Sequence, residues 1–252
     1  MTLLSLADLT VHRGPCPVVD RASFSMAAGE LVGLIGPNGA GKTTLMRAVL
    51  GLMPYSGTTS LADIPVKDRA RQAAWLPQQR DIAWPVSVET LVMLGRVPHL
   101  AAGQRPGDRD RAAVADALAV MGLTGFEARA ATALSGGEQA RVVIARALAQ
   151  DTPLILADEP IAGLDPGHQI ATMEAFSALA ASGKGLLVSL HDLGLAARHC
   201  TRLILLHQGR IHADGPPAEV LTAENLAQVF GISAHLAQTA DGMIFQPLRV
   251  LR

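Results

Sequence analysis

The sequence predicts an α/β fold with a mostly parallel sheet, an N-terminal antiparallel β portion and an inserted helical lobe. Three observations predict it. Residues 30–35, 73–76, 154–157, 185–190 and 203–207 form short apolar runs of strand length, the pattern of strands buried on both faces. Helical stretches at 42–50, 166–181 and 193–199 alternate with those runs, as parallel strands with crossover helices require. Between the second and third runs the character changes, because residues 79–150 read as helices and loop with no buried strand among them.

The elements follow in order. Residues 3–11 and 18–26 are β-type runs around a Gly14-Pro15 turn, which supplies the antiparallel portion. Residues 30–35 lie between Gly29 and Gly36 and form the first buried strand, and 42–50 read as the helix after it. Pro77 ends the strand at 73–76. In the lobe, helices at about 87–95 and 108–121 flank a Gly/Pro/Arg-rich loop, 98–107. A third helix, 136–150, opens at Ser135, a good N-cap. Residues 221–230 read as a late helix. Residues 232–252 are weakly patterned, with one candidate strand at 243–245. The reading is a single domain, 1–252, with a core of 1–78 and 151–231, a helical lobe of about 79–150 and a C-terminal extension of 232–252.

Bulk properties narrow the function. A chain of 252 residues, 49% of them apolar, can bury a sizeable core. With only 3% aromatics, that core must pack small aliphatic side chains. A formal net charge of −1 gives no field to gather nucleic acid or anionic lipid, so phosphate chemistry must come from a local site and no nucleic-acid partner is expected. Two isolated cysteines, Cys16 and Cys200, suggest a reducing compartment. The opening MTLLSLADLTVHRG lacks a basic stretch before an apolar core and does not read as a secretory signal. No window of roughly 18 uncharged apolar residues is present, so a membrane role needs a partner.

The phosphate site is explicit. Gly36-Pro37-Asn38-Gly39-Ala40-Gly41-Lys42-Thr43-Thr44 fits G-x-x-x-x-G-K-[ST], with an apolar strand before it and a helix after it. This makes the core that of a P-loop NTPase. The glycines let the backbone curl until its N–H groups face phosphate oxygens, and the helix that follows aims its positive end at the same place. Lys42 can reach the β- and γ-phosphates, and Thr43 is placed to put its hydroxyl on Mg²⁺. The ligand pair is therefore ATP and Mg²⁺.

The apolar run Leu154-Ile155-Leu156-Ala157 ends in Asp158-Glu159-Pro160. The carboxyl ends of parallel strands face the ligand crevice. Alternation sends the two acids in different directions, which suits two separate roles. Asp158 can orient Mg²⁺ through its water shell, and Glu159 can act on the attacking water as a general base.

Leu134-Ser135-Gly136-Gly137-Glu138, between the P-loop and the acidic strand, resembles the signature motif of ABC (ATP-binding cassette) proteins. Gln78 resembles that family's Q-loop glutamine, His191 its switch histidine, and Gly163-Leu164-Asp165 its D-loop. The resemblance covers residues 3 to about 230. It implies catalytic roles for Gln78 and His191, Mg²⁺ contact by Gln78, and a homodimer in which Ser135, Gly136, Gly137 and Glu138 of one copy cover the γ-phosphate held by the other, with Asp165 touching the partner near its site. One departure stands out: Val11-His12-Arg13-Gly14 lacks the aromatic residue on which adenine usually stacks. Either Arg13 or His12 takes that place, or both are solvated.

Leu94-Gly95-Arg96-Val97-Pro98 and the 221–230 stretch resemble importers of iron–siderophores, haem and cobalamin. That subgroup implies two integral-membrane permease subunits, one helix of which docks after Gln78, a periplasmic substrate-binding protein, and a peripheral position on the cytoplasmic face of the inner membrane. An iron–siderophore is the preferred cargo, with haem and cobalamin as alternatives. A soluble ABC ATPase without a membrane partner is the competing reading. Intact Lys42, Asp158, Glu159 and His191 argue against a non-hydrolytic subunit.

Overall fold

The computed structural model describes residues 1–79, 82–239 and 242–251, which form two compact units. The first unit comprises Met1–Asp63 and Phe176–Arg252, and the second Ile64–Ala175. The expected lobe of 79–150 therefore lies within a larger unit that starts earlier and ends later.

In the first unit, β1 (Thr2–Arg13) and β2 (Cys16–Ala27) form the expected antiparallel pair, each longer than its apolar run. Strand β3 (Leu31–Ile35) is wholly buried and leads into helix α1 (Lys42–Val49). A third antiparallel strand, β4 (Ser56–Thr59), pairs with β1. Among the later elements of the unit, the buried β7 (Gly185–Ser189) and β8 (Arg202–His207) flank β3, both parallel to it. Strand β9 (Arg210–Gly215) adds antiparallel to β8. Helix α7 (Leu193–His199) joins β7 to β8. Close packing on β3 has a specific cause at Gly33, where a Cβ would sit 2.6 Å from the Leu203 side chain and 2.9 Å from Sγ of Cys200. Burial among these aliphatic neighbours pushes the Cys200 thiol up to about 12, so it stays an inert apolar filler.

In the second unit, helix α2 (Val66–Gln72) precedes β5 (Ala73–Leu76), which pairs in parallel with β6 (Leu154–Asp158). Helices α3 (Val88–Met93), α4 (Asp108–Val120) and α5 (Gly136–Ala149) lie between them in sequence. Helix α6 (Pro166–Ala181) starts in this unit and ends in the first.

Three expectations need correction. The helix at 87–95 stops at Met93 and tightens into a 3-10 segment, Leu94–His99, that ends after Pro98. The helix at 221–230 starts two residues later, as α9 (Ala223–Asn225), and runs straight into a π turn, Leu226–Phe230; a separate short helix, α8 (Pro217–Val220), precedes it. Thr222 caps α9 through its side chain, and Gly231 at φ 65 stops the π turn. The weakly patterned tail holds two strands where one was expected: β10 (Ile232–Thr239) and β11 (Gly242–Val250), the latter containing 243–245, pair antiparallel.

Candidate active site

In the first unit, the chain leaves β3 at Gly36, with φ 147. A Cβ on Gly36 would lie 2.2 Å from the Leu206 carbonyl oxygen, and one on Gly41 (φ 105) would lie 2.7 Å from that of Val18. Only glycine fits at these two positions. Between them, Asn38 and Gly39 are exposed at the crest of the loop while Ala40 is buried. Gly41 provides no side-chain cap, so the N-terminal end of α1 faces the loop with no side chain across it. Lys42 is buried and folds back on the loop, its Nζ donating to the carbonyls of Gly36 (2.7 Å) and Pro37 (3.2 Å). Thr43 is half-buried and Thr44 buried.

His191 leaves the same edge of the same sheet. Leu34 pairs with Ser189, and Leu190 N–H donates to Leu34 O at 3.2 Å, so β3 and β7 end side by side. Gly36 lies two residues past Leu34, and His191 two past Ser189. His191 is exposed, and the next residue, Asp192, caps α7 by accepting from Leu195 N–H at 2.8 Å.

The same geometry recurs in the second unit. Leu76 of β5 pairs with Ala157 of β6, and Gln78 and Glu159 each lie two residues further on. Their side chains meet, with Gln78 Nε2 donating to Glu159 Oε2 at 2.8 Å. Asp158 is 1% exposed whereas Glu159 is half-buried, so the two acids do diverge. Glu159 has φ 49, a left-handed conformation that a glutamate rarely adopts and that costs about 1 kcal/mol or more.

The glycine-rich element is a helix tip. Ser135 and Gly136 are exposed, and buried Leu134 anchors the turn before them. Ser135 and Glu138 form a reciprocal capping box: Ser135 N–H donates to Glu138 Oε2 at 2.8 Å, and Glu138 N–H donates to Ser135 Oγ at 3.3 Å. The amide and hydroxyl of Ser135, with weaker help from Arg129 at 3.8 Å, hold the Glu138 carboxyl below the usual range. Asp165 is also exposed and caps α6. It accepts from His168 N–H at 3.0 Å and pairs with His168 Nδ1, and the imidazole is the main reason that its carboxyl is lowered.

Comparison with known proteins then decides the family. A family profile described as ABC transporter matches residues 19–162. The hemin import ATP-binding protein HmuV of Nocardia farcinica is 44% identical over 219 residues, covering 84% of this chain and 75% of that protein. The chain belongs to the ABC transporter family. It is therefore an ATP-hydrolysing cassette. The cobalamin import ATP-binding protein BtuD of Halobacterium salinarum is 42% identical over 235 residues, 90% of this cassette and 58% of that protein. A solved structure described as an inward-facing conformation of a metal-chelate type ABC transporter has a TM-score of 0.86 at 26% identity, covering 99% of this cassette and 98% of that chain.

Two features of the cassette were not legible beforehand. The Leu-Gly-Arg-x-Pro run is partly structural. A Cβ on Gly95 would meet the Arg146 carbonyl oxygen at 2.2 Å, so the 3-10 segment lies backbone-close to α5. Buried Arg96 donates from Nε to Asp110 Oδ1 and from its terminal nitrogen to the Ala149 carbonyl, both at 2.9 Å. The outward residues of the run, Leu94 and Val97, are 51% and 57% exposed. They border two adjoining grooves of about 420 and 520 Å³ that share Thr90 and Leu94, and Trp84, 75% exposed, lines the smaller. His12 and Arg13 are both exposed at the tip of the β1–β2 pair, whose Val18 lies against Gly41.

Proposed function

We propose that this cassette powers the import of a metal chelate, hemin first among the candidates, as a homodimer bound to two membrane permease subunits. The observation that carries the dimer is the helix tip at Ser135. A capping box holds it in shape while Ser135 and Gly136 stay exposed, as a surface that seals a second copy's nucleotide must be. The preference for hemin over an iron–siderophore rests on relatives of 41–44% identity named for hemin import, with cobalamin next.

In this reading the amides around Gly39 and Gly41 and the Lys42 ammonium bind the ATP phosphates. Asn38, Ala40, Thr43 and Thr44 complete the loop. Glu159 accepts a proton from the attacking water, and Gln78 orients it by the bond already present. His191 contacts the γ-phosphate from the sheet edge that it shares with the loop. Ser135, Gly136 and Gly137 of the second copy donate to the same phosphate, and Glu138 fixes their geometry. Asp165 contacts the second copy. Mg²⁺ fits the donors available: the Thr43 hydroxyl, the Gln78 carbonyl oxygen and the Asp158 carboxylate are all hard oxygen ligands. Among the described residues no cluster of three or more His, Cys, Asp or Glu offers a softer site. When bound, the ion would screen phosphate charge.

No described helix is long and apolar enough to cross a membrane, so attachment would run through the permease, at the cytoplasmic face of the inner membrane. The grooves beside Trp84 and Leu94 suit a docked permease helix, and a periplasmic binding protein would deliver the chelate. The test is uptake of labelled hemin, cobalamin and ferric siderophore by cells carrying this cassette with its permease and binding protein. Hemin should accumulate and should fail to do so with Glu159→Gln. Uptake of none of the three, or undiminished uptake in the mutant, would refute the reading.

A further inference from the structure

One cation in the groove has no counter-charge among the described residues. Val143 and Arg146 lie one turn apart on α5, and both line the smaller groove with Ile82, Trp84, Leu91 and Leu94. Arg146 is half-buried and forms no ion pair or side-chain hydrogen bond with the described residues. Its backbone carbonyl is pinned under Gly95, so the helix cannot roll to carry the guanidinium into water. Other interior guanidiniums of this unit have acceptors: Arg96 has Asp110 and the Ala149 carbonyl, and Arg141 has the Met121 carbonyl. Burial lowers the Arg146 pKa, and no carboxylate among the described residues offsets that shift. A half-buried, permanently charged fork between apolar walls is well placed to take an anion from outside.

We infer that Arg146 is the anchoring cation of the docking groove and recognises a carboxylate on the apolar face of the permease helix that lies there. The inference rests on the docking reading above and goes one step beyond it, to the charge of the partner. Charge complementarity favours this occupant. Among the described residues that line it, the groove is apolar apart from the Arg146, Thr90 and Gln79 side chains, so a helix with an apolar stripe and one acidic residue satisfies both components. A closed groove would exclude water and strengthen the pair.

The test uses the full chain and two braced twelve-residue helical peptides. Each carries an apolar stripe, with glutamate at its centre in one and glutamine in the other. Trp84 fluorescence, in a Trp75→Phe background, reports binding. The glutamate peptide should bind at least about tenfold more tightly than the glutamine peptide. Arg146→Gln should abolish that preference, Arg146→Lys should keep part of it, and Arg146→Glu should reverse it in favour of the glutamine peptide. Thermal unfolding monitors the fold of each variant. Equal affinity for the two peptides, or a preference that survives Arg146→Gln, would overturn the inference and leave docking intact. Binding of both peptides that is lost in Leu94→Arg would support the groove alone. Failure of both peptides to bind would sink both readings.

Discussion

Glu159 combines a left-handed backbone with a single well-defined side-chain partner, Gln78. Strain of that kind persists only where surrounding structure fixes it, and here β6 and the turn closed by Ala162 N–H to Glu159 O do so. Replacing the carboxylate by an amide keeps the shape and removes the base. Glu159→Gln should therefore lower steady-state ATP turnover by roughly 10²-fold or more and accumulate an ATP-bound dimer. Phosphate release and light scattering measure the two effects, and turnover like that of the wild type would strip Glu159 of its role. The residues of this site were legible in sequence because each motif has a local physical cause. Gly36 and Gly41 need positive φ beside another backbone, and Asp158 and Glu159 end a run with nothing polar in it. Arg146 went unremarked although its signal was present: three residues after Val143 it falls on the apolar stripe of α5, where a lone cation is out of place.

At the scale of elements, α5 and its neighbours carry three testable consequences. Arg96 and Asp110 are 8% and 7% exposed and form a buried pair that ties the 3-10 segment to α4. Arg96→Leu strands the carboxylate and should destabilise the protein by about 3 kcal/mol in urea unfolding. The Gly107 amide first, and then the Arg96 guanidinium, hold the Asp110 carboxyl below the ordinary aspartate range. A depressed folded pKa means that the unfolded chain binds the proton more tightly. The stabilisation is therefore complete above the ordinary aspartate range and is lost as pH falls through the folded value. The stability gap between wild type and Asp110→Asn should narrow as pH drops below about 4. At the other end of α5, Ser135→Arg should leave ATP binding by calorimetry nearly unchanged while preventing ATP-dependent dimerisation; a dimer of normal size in light scattering would defeat the sealing role. Elements that escaped sequence reading lack local signal. Strand β4 is four residues long, and only Thr59 of it is buried. Helix α2 buries no residue at all. By contrast β9 alternates in exposure from Arg210 to Gly215, a period-2 signal without an apolar run, whereas β10 and β11 are half-buried or exposed with no such period.

For the whole molecule, the parallel strands were legible because burial on both faces writes them as apolar runs, whereas pairing partners and edge strands depend on residues far apart in sequence. Each unit repeats one device: two parallel strands end in step, and the residues of the site begin two positions on, Gly36 and His191 in one and Gln78 and Glu159 in the other. Helix α5 links two further surfaces within the second unit. Ser135 is at its tip and Arg146 eleven residues on, roughly 16 Å away at 1.5 Å per residue. Gly95, pressed to the Arg146 carbonyl, leaves no compressible side chain between the groove wall and this rod. A push delivered at Leu94 or Val97 would thus arrive at Ser135 as displacement instead of dissipating as rotamer motion, making α5 the stiff axle through which a gate in a neighbouring protein could be timed by phosphate chemistry.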